Sequence, residues 1–211
     1  MAALVASFRG DGVLGFDIAG DERYPLAIHR GAIEFCLREG LYVTVHAGEK
    51  LQGEDGTLGS ILENLRLARE LGVHRIGHGF CISLDDHVCE MFRARDGVCV
   101  EVCLTAVTPY LVASGEYRDH PIKTFLEKGI ACSISSDNLR LAGKGELGTS
   151  SSDELMHLAS ADGCGLSWSQ VREVLMNGVR SSFLPEGEEK RALVDAFARD
   201  LDDAMRANGL L

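Results

Sequence analysis

No stretch of this 211-residue sequence approaches the roughly 18 consecutive apolar residues of a membrane-spanning helix. The opening MAALVASF has neither a basic leader nor a long apolar core, so a secretion signal is not indicated. Seven cysteines are present without a single Cys-x-x-Cys pair. Their odd number and scatter through apolar runs suit reduced thiols in a cytoplasmic protein better than a disulfide frame. Basic residues are in deficit: 21 Lys and Arg against 32 Asp and Glu leave a net charge of −11. Such a field repels phosphate backbones, which argues against a nucleic-acid clamp or a polybasic membrane anchor. Proline- or serine-rich linkers, charge blocks and low-complexity tracts are also missing, so residues 1–211 read as a single domain.

What is present is a relay. Five short apolar or β-branched runs read as buried strands: 13–19, 42–46, 74–78, 98–103 and 130–135. Helical spacing fills the intervals. Ile61, Leu62, Leu65, Ala68 and Leu71 mark one apolar side; Val88, Met91 and Phe92 mark another, with Ser83 and Asp86 spaced as a capping box ahead of it. Ile122, Phe125 and Leu126 mark a third, after the early-turn Pro121. Gly40, Gly72, Gly97 and Gly129 each close a helical stretch shortly before the next strand, where a left-handed residue is needed. Four such repeats predict an α/β fold built on a parallel sheet with helical crossovers. The chain opens as if inside a helix, and 153–161, 168–179 and 188–206 read as closing helices, the second capped by Ser167 and Gln170.

The strand ends carry groups that a core excludes. The first runs into Asp17, Gly20, Asp21 and Glu22; the second into His46, Gly48 and Glu49; the third into Gly77 and His78; the last into Asp137 and Asn138. Carboxyl ends of parallel strands share one face, where α/β barrels place active sites. Two histidines and two carboxylates there predict a metal-assisted or acid–base site. Each residue also has a plain structural reading. His46 could be a packing residue, Asp137-Asn138 a turn cap, and Glu49-Lys50 a surface ion pair. His74 and His78 cannot share an ion, because four residues along a strand span roughly 13 Å. The same distance separates Cys99 from Cys103 and argues against a thiolate metal site. His29, His87, His120 and His157 fall in helices or turns, where solvated or capping roles are the default.

The segments GFDIAGDE (15–22), VTVHAGE (43–49), RIGHG (75–79), EVC (101–103), HPIKTFLEKGI (120–130) and SISSDN (133–138) resemble, in that order, the adenosine deaminase family. NGVRSSFLPEGEEKRAL (177–193) is similar to that family's closing helical segment. The resemblance implies a (β/α)8 barrel of the metal-dependent hydrolase type, with about five of eight βα units present plus C-terminal helices. It implies one Zn2+ ion and hydrolysis of the 6-amino group of adenosine, and of 2′-deoxyadenosine, to the inosine product and ammonia in purine salvage. By the same resemblance His46 is a zinc ligand and Glu49 the acid that protonates purine N1. His78 orients and helps deprotonate the attacking water. Asp137 is a metal ligand that also contacts that water, and Gly20 is the backbone donor to purine N3. Asn138 stands where the family places a second aspartate facing N7; a carboxamide donates to that bare acceptor without needing a proton.

The sequence departs from the family pattern in places. Its histidines lie at 29, 46, 74, 78, 87, 120 and 157, so the His-x-His pair that supplies two more zinc ligands is absent. Five strands and 211 residues fall short of the eight strands and about 250 residues of a full barrel, and the expectation is a domain lacking its first βα units. Leu104, Ala106-Val107 and Leu139 replace residues of the family motifs. One histidine and one carboxylate hold zinc poorly, so the chain by itself is expected to lack deaminase activity. The alternatives are a deaminase of adenine or of an N6-substituted or 5′-phosphorylated relative, or an inactive fragment that binds a partner through an open sheet edge. The expected partner is a small purine nucleoside, with no nucleic acid and no membrane; the oligomeric state is left open.

Overall fold

The computed structural model describes residues 1–53, 55–93, 97–137 and 150–211. Its contacts group into two units: Met1–Glu101 with Lys128–Ile130, and Val102–Glu127 with Ala131–Leu211.

The first unit alternates helix and strand. It comprises α1 (Ala2–Ser7), β1 (Gly15–Ile18), α2 (Arg30–Arg38), β2 (Tyr42–Ala47), α3 (Leu58–Leu71), β3 (Arg75–His78), α4 (Asp86–Met91) and the start of β4 (Cys99–Val102). Neighbouring strands are parallel, with Asp17 opposite Thr44, Thr44 opposite Arg75, His46 opposite Gly77 and Gly77 opposite Glu101. Period-two alternation sorts β2 into two faces. Val43, Val45 and Ala47 are fully buried, as are Ile33 and Cys36 of α2 and Ile61, Leu65 and Ala68 of α3, the helices that pack on β2. Each such aliphatic side chain contributes about 1.5–3 kcal/mol through burial. Tyr42, Thr44 and His46 occupy the opposite face and are less tightly enclosed.

The predicted glycine punctuation is present. Gly72 ends α3 at φ 76°, letting its own N–H reach the Arg69 carbonyl and the Val73 N–H reach that of Ala68. Gly40, Gly97 and Gly129 share that conformation, at φ 70°, 78° and 71°. β3, β4 and the strands at either end of the order are shorter than the sequence reading by one to three residues, because pairing ends before apolar character does, whereas β2 runs one residue longer, to Ala47. The capping box before α4 is different from the expected one. Asp85 is the cap and accepts from the Val88 N–H at 2.9 Å, whereas the Ser83 hydroxyl turns back to the Phe80 carbonyl.

The second unit begins at the end of β4, whose Val102 carbonyl accepts from the Ser135 N–H just beyond β5 (Cys132–Ile134). The strand order is β1-β2-β3-β4-β5. Helices α5 (Leu104–Leu111), α6 (Ile122–Glu127), α7 (Ser151–Ala159), α8 (Trp168–Arg180) and α9 (Glu188–Ala207) complete it. Capping boxes fix two of these: Ser150 with Asp153 for α7, and the expected Ser167 with Gln170 for α8. Asn177 of α8 donates to the Cys132 carbonyl of β5, and Arg172 of α8 grips Asp202 of α9. At the start of α5 the fully buried Glu154 carboxylate accepts from the N–H groups of Leu104 and Thr105, at 2.9 and 3.2 Å. Burial pushes its pKa up against those hydrogen bonds. Among the described residues, no helix is long and apolar enough to cross a membrane.

Candidate active site

The carboxyl ends of β1, β2 and β3 bring Gly20, His46, Glu49 and His78 into the same unit. His46 is the last inner-face residue of β2. Its ring lies over Gly77 of β3, where a Cβ would stand 3.2 Å from the imidazole Cγ; only a glycine leaves that space open. Beyond Gly77 the ring meets His78 edge-on, with centroids 5.1 Å apart and planes at 63°. On its other side His46 Nδ1 faces the Asp17 carboxylate at 3.4 Å, near but outside good hydrogen-bond geometry. Asp17 is the main reason the His46 pKa is raised; burial opposes it, and Glu49 and Glu101 add smaller attractions.

His78 ends β3 in the left-handed region, at φ 63°, and is almost fully buried. Asp137, beyond β5 in the second unit, is exposed and also left-handed at φ 52°. Among the described residues these are the two non-glycine residues with positive φ. Left-handed backbone costs an L-residue about 1–2 kcal/mol, and such strain gathers at functional positions.

The turn after β2 carries the half-buried Glu49. Lys50 Nζ approaches its carboxylate at 3.8 Å, the surface pair anticipated from adjacency. Gly48 adopts φ 81°. Gly20, at φ 150°, and His46 line one cavity of about 160 Å³ with Ile18, Glu22, Tyr24 and Ile28. Asn138 lies outside the described residues.

Several histidines take their structural readings. His74 Nδ1 accepts from the Val43 N–H at 3.0 Å and the ring packs edge-on against Tyr42. His120 Nδ1 accepts from the Ile122 N–H at the start of α6, and His157 stacks on Tyr117.

Sequence reasoning gave no role to a polar layer beneath His46. Arg75 Nε meets Glu101 Oε1 at 2.6 Å, and the Thr44 hydroxyl donates to Glu101 Oε2 at 3.1 Å. Asp17, Thr44 and Arg75 stand in one register row, and Glu101 stands two residues further on, level with Gly77 and His46. The signal was there to be read: charged residues inside apolar strands, at even spacing from His46 or in register with it. Glu22 was likewise placed only at a strand end. It is buried, accepts from the Lys50 N–H at 2.7 Å, and has its pKa raised by burial despite that bond.

Comparison with known proteins follows the same lines. The family model for adenosine deaminase matches residues 1–199. The adenosine deaminase of Salmonella dublin is 35% identical over 192 residues, which cover 89% of this chain and 51% of that protein. The chain thus spans about half the length of the curated relatives it matches. Among solved structures, a zinc-bound amidohydrolase from Burkholderia ambifaria superposes with a TM-score of 0.79 at 20% identity, over 99% of this chain and 54% of that one. The adenine deaminase of Arthrobacter aurescens gives 0.73 at 20% identity, over 97% and 57%. These superpositions establish the fold as part of a (β/α) barrel. With the family model spanning nearly the whole sequence, the chain belongs to the adenosine deaminase family.

Proposed function

We propose that this chain supplies the purine-binding groups, the proton-handling groups and part of the zinc site of a hydrolase that converts adenosine and 2′-deoxyadenosine to their inosine products and ammonia. The observation that carries this reading is backbone strain. His78 and Asp137, the two residues that the family motifs assign to the attacking water, are the described non-glycine residues held at positive φ. Strain of this kind gathers at functional positions, and the two residues that carry it are the two that the motifs single out. The substrate follows the relatives of 35–36% identity, which are adenosine deaminases.

The donors fit zinc in kind. His46 offers an imidazole and Asp137 a carboxylate. Asp17 beside His46 Nδ1 leaves Nε2 for a metal and supplies the carboxylate partner that ligating histidines use. In number they are two, and these 211 residues hold no His-x-His, so the remaining donors lie outside this sequence. Bound zinc lowers the pKa of the attacking water to about 7.

The chain's own residues do the rest. Glu49 gives a proton to purine N1, which draws electron density from C6. His78 accepts the proton of the attacking water, and Asp137 fixes the direction of approach. The Gly20 N–H donates to N3 and the Asn138 carboxamide to N7, fixing the ring. Ammonia then leaves C6 once the 6-amino group is protonated.

The test mixes the chain with a polypeptide carrying a His-x-His strand of the family and assays adenosine, adenine and AMP side by side. Zinc-dependent inosine formation, preferring adenosine and cut at least about 100-fold by Glu49→Gln, is expected. A mixture inert toward adenosine overturns the function. Inosine produced by the chain on its own would overturn the ligand count.

A further inference from the structure

Glu22 and Glu49 are brought together by the backbone of the turn that follows β2. The Glu22 side chain is 6% exposed, and its Oε2 accepts from the Lys50 N–H at 2.7 Å. The N–H groups of Gly48 and Glu49 also favour its ionised form. With Gly48 at φ 81°, the three successive N–H groups of residues 48–50 make a concave anion site of the kind that a left-handed residue creates. Here an internal carboxylate fills it.

The same turn is held from its far side through its carbonyls. The Cys81 N–H donates to the Gly48 carbonyl at 2.9 Å, and the Cys81 thiol to the Lys50 carbonyl at 3.0 Å. Burial pushes the Cys81 pKa up to about 12, so the thiol keeps the proton it donates. Glu22 is anchored in turn by Asn64 of α3. The Asn64 amide donates to the Glu22 carbonyl at 3.2 Å, and its oxygen accepts from the Leu26 N–H at 2.7 Å. One chain of hydrogen bonds therefore runs from α3 through the Gly20–Leu26 loop to the backbone of Lys50, the residue after Glu49.

We infer that Glu22 is a positioning residue: its carboxylate latches the 48–50 turn, and so fixes Glu49 relative to the loop that carries Gly20. Resting on the proposed function, this sets the spacing between the donor to purine N3 and the acid for N1. Glu22 acts through backbone N–H groups and need not touch the substrate. A buried carboxyl is a costly way to pack a loop, and its one strong acceptor bond goes to this turn.

The experiment measures site-resolved amide hydrogen exchange and purine riboside binding on the full chain, as wild type, Glu22→Ala and Glu22→Gln. In Glu22→Ala, exchange at residues 48–50 should accelerate at least tenfold, with Val43 and Val45 in β2 unchanged. Glu22→Gln keeps an acceptor oxygen and should restore exchange to within about threefold of wild type. Purine riboside affinity should fall at least tenfold in Glu22→Ala and recover in Glu22→Gln. Unchanged exchange at 48–50, or equal acceleration at Val43 and Val45, overturns the latch. If the wild type binds no purine riboside, the functional reading fails, while the exchange measurement still decides the latch.

Discussion

The His46 ring reaches His78 across the bare backbone of Gly77, with centroids 5.1 Å apart. The proposed ligand on one strand and the proposed base on the next meet because the residue between them lacks a side chain. Gly77→Ala would put a methyl 3.2–3.4 Å from three ring atoms and tilt the imidazole. The strand backbone at Gly77 accommodates alanine, so stability should change by less than about 1 kcal/mol. Zinc affinity of the chain complemented with the His-x-His polypeptide, followed by titration calorimetry, should fall about tenfold. Unaltered affinity would show that the position of the ring is not limiting.

Strain at Asp137 sets stability against function. It is exposed and left-handed, so Asp137→Gly should raise stability by about 0.5–1 kcal/mol, or a few degrees in Tm. Deamination in the complemented enzyme should be abolished by the same change. A variant that is both less stable and still active would contradict the role given to this residue.

Glu154 supports the second unit. Glu154→Ala leaves two N–H groups at the start of α5 unpaired in a fully buried setting. The expected loss is about 2–4 kcal/mol in urea denaturation. Removing the exposed cap partner Asp153 should cost less, about 0.5–1.5 kcal/mol. Equal losses would deny that burial sets the difference.

The α8–α9 clamp gives a pH signature. Arg172 donates through Nε and Nη2 to the two oxygens of Asp202 and holds its carboxyl below the usual range. A lowered carboxylate pKa contributes stability that is present above the unfolded value near 3.8 and lost as pH falls through the folded one. The stability difference between wild type and Asp202→Asn should therefore shrink as pH falls from about 5 to 3, and high salt should weaken that pH dependence. A difference independent of pH would assign the contact to packing.

Strand count, parallel pairing and the four glycine stops were legible because the apolar runs are short and a left-handed glycine comes just before each of β2, β3, β4 and β5. The site motifs were legible because they sit at those strand ends. What escaped was set by tertiary pairing. Helix α5 carries Pro109 in its interior, which argues against a helix on local grounds. The cap of α4 moved from Ser83 to Asp85 because residues 80–84 close into a 3-10 turn that engages Ser83. The Asp17–His46 contact and the Glu22 latch join residues 29 and 28 positions apart, beyond the reach of any local pattern.

A crystal structure of the zinc-loaded complex of this chain with the His-x-His polypeptide tests the central claim most directly. The account predicts one ion with His46 Nε2 and an Asp137 carboxylate oxygen both about 2.0–2.2 Å away. An ion held elsewhere, or by His46 with Asp137 out of reach, would contradict it.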